Sequence, residues 1–108
     1  MTGRIVFSEA AREDRRAITA TTVERFGMAQ ARRLRTNFAR VLDTLADNPS
    51  IGRRREELDP PGHSFRYFVV MKLFIIVYEP TDAGIRVARI LHGLRKLAAE
   101  LERDAGQP

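Results

Sequence analysis

The sequence predicts an α+β fold of order β-α-α-β-β-β-α, in which a helical hairpin packs on one face of a four-stranded, mainly antiparallel sheet. Three observations carry the prediction. Ala31, Leu34, Phe38, Val41, Leu42 and Leu45 recur at spacings of three and four, the mark of an amphipathic helix. From Phe65 to Leu91, β-branched and aromatic residues take over in three runs separated by two short turns. With 108 residues and 44% hydrophobic content, the chain has the size of one domain, spanning 1–108. Such a domain buries roughly 65% of its unfolded surface, enough for a core without staples.

Arg4-Ile5-Val6-Phe7 is a short β run that needs partners in a larger sheet. Ser8 stands as the N-cap of the first helix, Glu9 to about Phe26, and Glu9 sits where the helix dipole favours an anion. The apolar stripe of that helix, Ala11, Ile18, Thr22 and Phe26, is interrupted by Arg15. Gly27 separates it from the second helix, which must end before Asn48-Pro49 because proline disfavours helical geometry in the residue before it. So short a break predicts an antiparallel hairpin. Residues 50–62, with Gly52, Pro60, Pro61 and the cluster Arg53-Arg54-Arg55-Glu56-Glu57, read as a long loop. Strands follow at 65–70, 73–78 and 85–91, with turns around Met71-Lys72 and across residues 80–84. The near-continuous apolar run from Leu73 to Val77 suits the most buried, central position. After His92-Gly93, the spacing of Leu94, Leu97, Ala98 and Leu101 predicts a last helix, and residues 103–108 a frayed tail.

The formal charge is +5, and 17 of the 19 cations are Arg. Residues 28–55 hold Arg32, Arg33, Arg35, Arg40, Arg53, Arg54 and Arg55 against Asp43 and Asp47, while the rest of the chain is balanced. The whole net charge therefore lies on the second helix and the loop after it. A charge so placed favours an acidic protein partner over general polyanion binding, and the guanidinium fork suits an interface. Asp43 and Asp47 permit local ion pairs that weaken a phosphate-binding stripe, and no helix-turn-helix or ribbon-helix-helix pattern is visible. Direct sequence-specific DNA binding is not expected. The longest apolar region, 65–78, is interrupted by Arg66 and Lys72 and falls short of the ~20 residues a membrane helix needs. The absence of Cys excludes disulfides and zinc-thiolate sites and fits a reducing compartment. No apolar stretch of signal-peptide length follows Met1, so the expected location is the cytoplasm.

None of the glycines forms a phosphate-cradling motif, which excludes the nucleotide-binding loops. His63 and His92 fall at either end of the strand region with no Cys to join them, so no metal and no cofactor is expected. Ser-His-Asp hydrolysis lacks a nucleophile elbow. The surviving enzymatic reading is acid-base cleavage of RNA, which needs only positioned cations and one proton carrier. Arg66, Arg89 and Arg95 are the candidate cations and Tyr67, Tyr78 or His92 the carrier. The plainer alternatives are a strand-end His92 with satisfied ring nitrogens, a core Tyr78 with a bonded hydroxyl, and aromatics Phe65, Tyr67 and Phe68 that fill the sheet.

Several of these residues belong to one ordered pattern. Phe7-Ser8 leads to Ala11, Asp14 and Ile18; Phe26-Gly27 leads to Ala31, Phe38, Leu45, Pro49 and Gly52-Arg53. Ser64-Phe65, Ile75-Ile76-Val77-Tyr78 and Arg89-Ile90-Leu91-His92-Gly93-Leu94-Arg95 complete it. Over about residues 5–98 the chain resembles the ParE branch of the RelE/ParE toxins of bacterial type II toxin-antitoxin systems. The resemblance implies the fold described above and growth inhibition without catalysis, by binding DNA gyrase and trapping it on DNA. It also implies a hetero-oligomer with a ParD-type antitoxin whose C-terminal segment wraps the toxin. Two positions depart from the pattern: Lys96 stands where ParE-like chains commonly carry Asp, and the final-helix tyrosine of RelE nucleases has no equivalent, Leu101 or a neighbour taking its place. The expected target surface is Arg89, His92, Arg95 and Lys96. Expected antitoxin contacts are Arg32, Arg33, Arg35, Arg40, Arg53, Arg54, Phe65 and Tyr67. A RelE-type messenger RNA nuclease, the alternative, would use Arg66, His92 and Arg95; a non-toxic interaction module is the third reading.

Overall fold

The computed structural model describes residues 3–93. The expected last helix and tail, with Arg95, Lys96 and Leu101, lie outside the described residues. Strand β1 (Arg4–Phe7) leads into helices α1 (Glu9–Phe26) and α2 (Met28–Asp47). A two-residue strand, β2 (Arg53–Arg54), lies between the short 3-10 turns Pro49–Ile51 and Glu56–Leu58, and the chain continues through β3 (Arg66–Val70), β4 (Phe74–Pro80) and β5 (Gly84–His92).

The sheet has five strands in the order β1-β5-β4-β3-β2, not four. The added strand is β2, hidden in the charged loop: Arg53 pairs with Tyr67 and Arg54 with Arg66. An Arg pair between prolines carries no alternating pattern, so only the neighbouring edge of β3 makes it a strand. The other pairings are antiparallel except β1 with β5, which is parallel.

The two helices join as a hairpin at Gly27, whose φ of 86° lies where a side chain is disfavoured. Its N–H closes α1 on the Val23 carbonyl. At the other end of α1, the Ser8 hydroxyl accepts from the Ala11 N–H at 3.0 Å and donates to the Ala88 carbonyl at 2.6 Å, which caps the helix and ties it to β5. A β-bulge interrupts the β4–β5 register at this level: Val77 faces Arg89 and Tyr78 faces Val87. The bulge lets Ile90 follow Val87 onto the helical face at a spacing of three instead of two.

Leu34, Leu42 and Leu45 of α2 pack on Ile76, Tyr78, Ile85, Val87 and Ile90. A second cluster, Phe65, Tyr67, Ile75, Val77, Ala88 and Leu91, with Leu58 against it, occupies the opposite face. β4 is thus buried on both sides, from Phe74 through Tyr78, and occupies the centre of the sheet. Several residues of the expected apolar runs are not core: Leu73 is 53% exposed in the β3–β4 turn, Phe26 is 69% exposed at the hairpin tip, and Val6 and Val69 are exposed as well. Arg15, the interruption in the α1 stripe, lays its guanidinium 4.5 Å from the centroid of the Phe7 ring and so covers apolar surface while staying charged.

Candidate functional site

The end of β5 gathers part of the expected target surface. Arg89 uses its fork: Nε donates to Asp14 Oδ2 at 2.8 Å and Nη2 donates to Oδ1 at 2.9 Å, with both side chains largely buried. Asp14 Oδ2 also accepts from the Ile90 N–H at 2.9 Å. Arg89 therefore holds α1 to β5, a bidentate geometry that lysine would not reproduce. His92 is exposed at the strand end, its ring 5.2 Å from that of Phe74, which in turn lies 5.4 Å from Phe38.

Arg66 and His92, the described residues of the nuclease alternative, do not converge. Arg66 pairs across the sheet with Tyr78, whereas His92 pairs with Phe74, four residues away along β4. At the rise of an extended strand that separation is roughly 13 Å. The Arg66 guanidinium donates to the carbonyls of Gly52 at 2.8 Å and Ser50 at 3.3 Å. The Tyr78 hydroxyl donates to the Pro49 carbonyl at 2.6 Å and accepts from the Gly52 N–H at 2.8 Å. A side chain at Gly52 would overlap the Tyr78 ring, so glycine is required for this close approach. Burial raises the Tyr78 pKa, against the lowering effects of the Gly52 N–H and the Arg66 charge. Tyr67 donates to Asp59 Oδ1 at 3.0 Å, and burial together with that carboxylate pushes its pKa well above the ordinary tyrosine value. Both phenols stay protonated at neutral pH and are engaged with the fold.

The expected antitoxin contacts divide in two. Arg32, Arg33, Arg35, Arg40 and Arg53 are exposed. Arg54 is tied to Asp59 Oδ2 at 2.9 Å and donates to the Phe65 carbonyl. Phe65 and Tyr67 are core residues, 2% and 5% exposed, in agreement with their plainer reading as sheet filling. Sequence reasoning missed a groove of about 510 Å³ between α1 and α2. Ile18, Leu34, Phe38, Leu42 and Ile90 give it an apolar lining, and Arg12, Arg15, Arg16 and Arg35 contribute cations. The spacing of Arg12, Arg15 and Arg16 places them on one face of α1, a signal that regional net charge conceals because Glu9, Glu13 and Asp14 balance it. His63, considered above only as a metal ligand, has its Nδ1 2.7 Å from Glu79 Oε1 while its ring stacks on Phe65.

Among the described residues, no group of His, Cys, Asp or Glu could hold a metal ion, and no helix is long and apolar enough to cross a membrane. The arrangement offers an apolar groove with cations along it and a strand end exposed at His92: surfaces for binding.

Comparison with known proteins identifies the fold and the family. A solved structure, the chromosomal ParDE toxin-antitoxin system from P. aeruginosa, shares the fold with a TM-score of 0.67 and 20% identity, over 86% of this chain and 98% of that one. No curated protein matches the chain. The family model described as the ParE toxin of the type II toxin-antitoxin system parDE matches residues 5–97. A match over most of the length leads to one conclusion: the chain belongs to the ParE family of type II toxins.

Proposed function

We propose that this ParE-family toxin arrests growth in the cytoplasm by binding DNA gyrase, without catalysis, and is neutralised by a ParD-type antitoxin. The observation that carries the non-catalytic part is the separation of Arg66 from His92 along β4, with Tyr67 and Tyr78 locked as donors to the fold. His92, Arg95 and Lys96 form the target surface, and Arg89 contributes by fixing the strand end on α1. The antitoxin contributes an acidic amphipathic helix that sets apolar anchors into the α1–α2 groove and carboxylates against Arg12, Arg15, Arg16 and Arg35, with Arg32, Arg33, Arg40 and Arg53 extending the basic field.

The test is expression of the chain without a partner, followed by gyrase supercoiling, DNA-damage signalling and messenger RNA integrity. Arrest with lost supercoiling, induced damage signalling and intact message is the expected result. Arrest with cleaved message, abolished by His92→Ala, would establish the nuclease instead; for a gyrase binder that substitution lowers potency by less than about tenfold, whereas loss of a catalytic acid or base costs 10²–10⁴-fold, roughly. Normal growth would leave an interaction module.

A further inference from the structure

The β3–β4 turn departs from the residues its geometry favours. Met71 and Lys72 have φ of 55° and 59°, both in the left-handed region, and the Leu73 N–H donates to the Val70 carbonyl at 3.1 Å. Turns with two left-handed central residues are ordinarily Asn-Gly or Asp-Gly, because longer side chains are strained there. This turn retains a methionine and a lysine. The apolar residues beside them face solvent: Val69 is 55% exposed, Met71 45% and Leu73 53%, at alternate positions around a single tip.

The tip is braced at its base. The Gly93 N–H donates to the Leu73 carbonyl at 3.0 Å, and Phe74 is held between Phe38 and His92. The patch therefore continues from the exposed strand end at His92. Residues 64–78 contain no Asp or Glu, so Lys72 stands in an apolar patch without a local counter-ion in sequence. Nucleic acid would find one cation among three apolar side chains, a poor match for phosphates. A two-fold pairing of tips would bring Lys72 against its own copy.

From this we infer that the β3–β4 tip is a docking element for a protein target, whose matching surface is an apolar pocket rimmed by a carboxylate. Met71 and Leu73 enter the pocket, Val69 seals its edge and Lys72 meets the carboxylate. Buried apolar anchors in a rigid mount are the usual source of interface affinity. The inference rests on the toxin reading above for the identity of the target, not for the docking role.

The test replaces Met71-Lys72 with the turn's preferred pair, M71N/K72G, in the full chain. Because the preferred pair relieves strain, the variant should melt at or above the wild-type temperature, by about 4 °C if roughly 1 kcal/mol is recovered. It should bind a ParD-type antitoxin within about twofold of wild type, yet need at least about tenfold more protein to arrest growth. Lys72→Glu, which keeps the strained turn, should show the same loss. Arrest at the wild-type dose by the folded double variant would overturn the inference, as would parallel loss of antitoxin binding or a wild-type dimer that the variant makes monomeric. If the wild type arrests growth while supercoiling is untouched, gyrase is the wrong target; the docking role then still stands or falls on the variants' loss of arrest.

Discussion

Tyr67 illustrates how a residue's surroundings decide its role. At period two with Phe65 it reads most plainly as a sheet-filling aromatic, with a base-stacking platform or a proton carrier as the functional alternatives. Its hydroxyl donates to Asp59, which also accepts from the Phe65 N–H at 3.2 Å and pairs with Arg54, so the phenol belongs to a network that pins the charged loop to β3. The folded state raises its pKa, so the unfolded chain releases the proton first as pH rises. Stability from this site is complete below the ordinary tyrosine value of about 10 and is lost as pH climbs through the raised range. Tyr67→Phe should destabilise by about 1 kcal/mol at neutral pH and make the alkaline fall shallower. Urea midpoints measured from pH 7 to pH 11 check this, and parallel pH dependences in the two proteins would reject the linkage. Arg15 and Phe26 teach the converse lesson. An arginine at an apolar position covers Phe7, and a phenylalanine at an apolar position faces water, because a heptad-like pattern specifies a face and not the neighbour that completes it.

Between elements, the decisive contact is α1 on β5. α1 buries only Ala11 and Thr22 fully, so apolar burial alone holds it weakly. The Ser8 cap bonded to Ala88 and the Asp14 pair with Arg89 supply directional contacts to the same strand. Asp14→Ala removes the bidentate carboxylate that offsets the desolvation of a largely buried guanidinium, and leaves the Ile90 N–H without that acceptor. The expected loss is about 3 kcal/mol by urea unfolding, with D14A/R89M recovering part of it. A loss below about 1 kcal/mol would mean that the pair does not hold the helix. The same contact alters how an Arg89→Ala toxin should be interpreted: lost activity must be compared with lost fold before it is credited to the target surface. The hairpin and the central place of β4 were legible from spacing and from the unbroken apolar run. The two-residue β2 and the bulge opposite Val77 and Tyr78 were not, since both are properties of a pairing and leave no periodicity of their own.

Across the whole molecule, charge and groove act together. The second helix and loop carry the entire net charge in sequence, and folding sets Arg35 of that helix opposite Arg12, Arg15 and Arg16 of the first. An acidic antitoxin should be steered to this side. Raising salt from about 50 to about 500 mM should slow association by about tenfold, while dissociation changes less. Stopped-flow association rates across that range decide it, and a salt-independent rate would remove steering from the mechanism.

Local pattern alone determined the order of every described helix and strand except β2, the helical hairpin broken at Gly27, the buried central strand and the location of the net charge. Those features follow from preferences that each residue expresses toward near neighbours. Tertiary structure decided the fifth strand, the burial of Phe65 and Tyr67, the groove, and the assignment of Arg89 to Asp14, 75 residues earlier. It also separated Arg66 from His92, which a list of chemically suitable side chains had placed together. The physical reason is the same in each case: a contact between distant segments is set by register and packing, and a side chain's chemistry is completed only by the group that register brings opposite it.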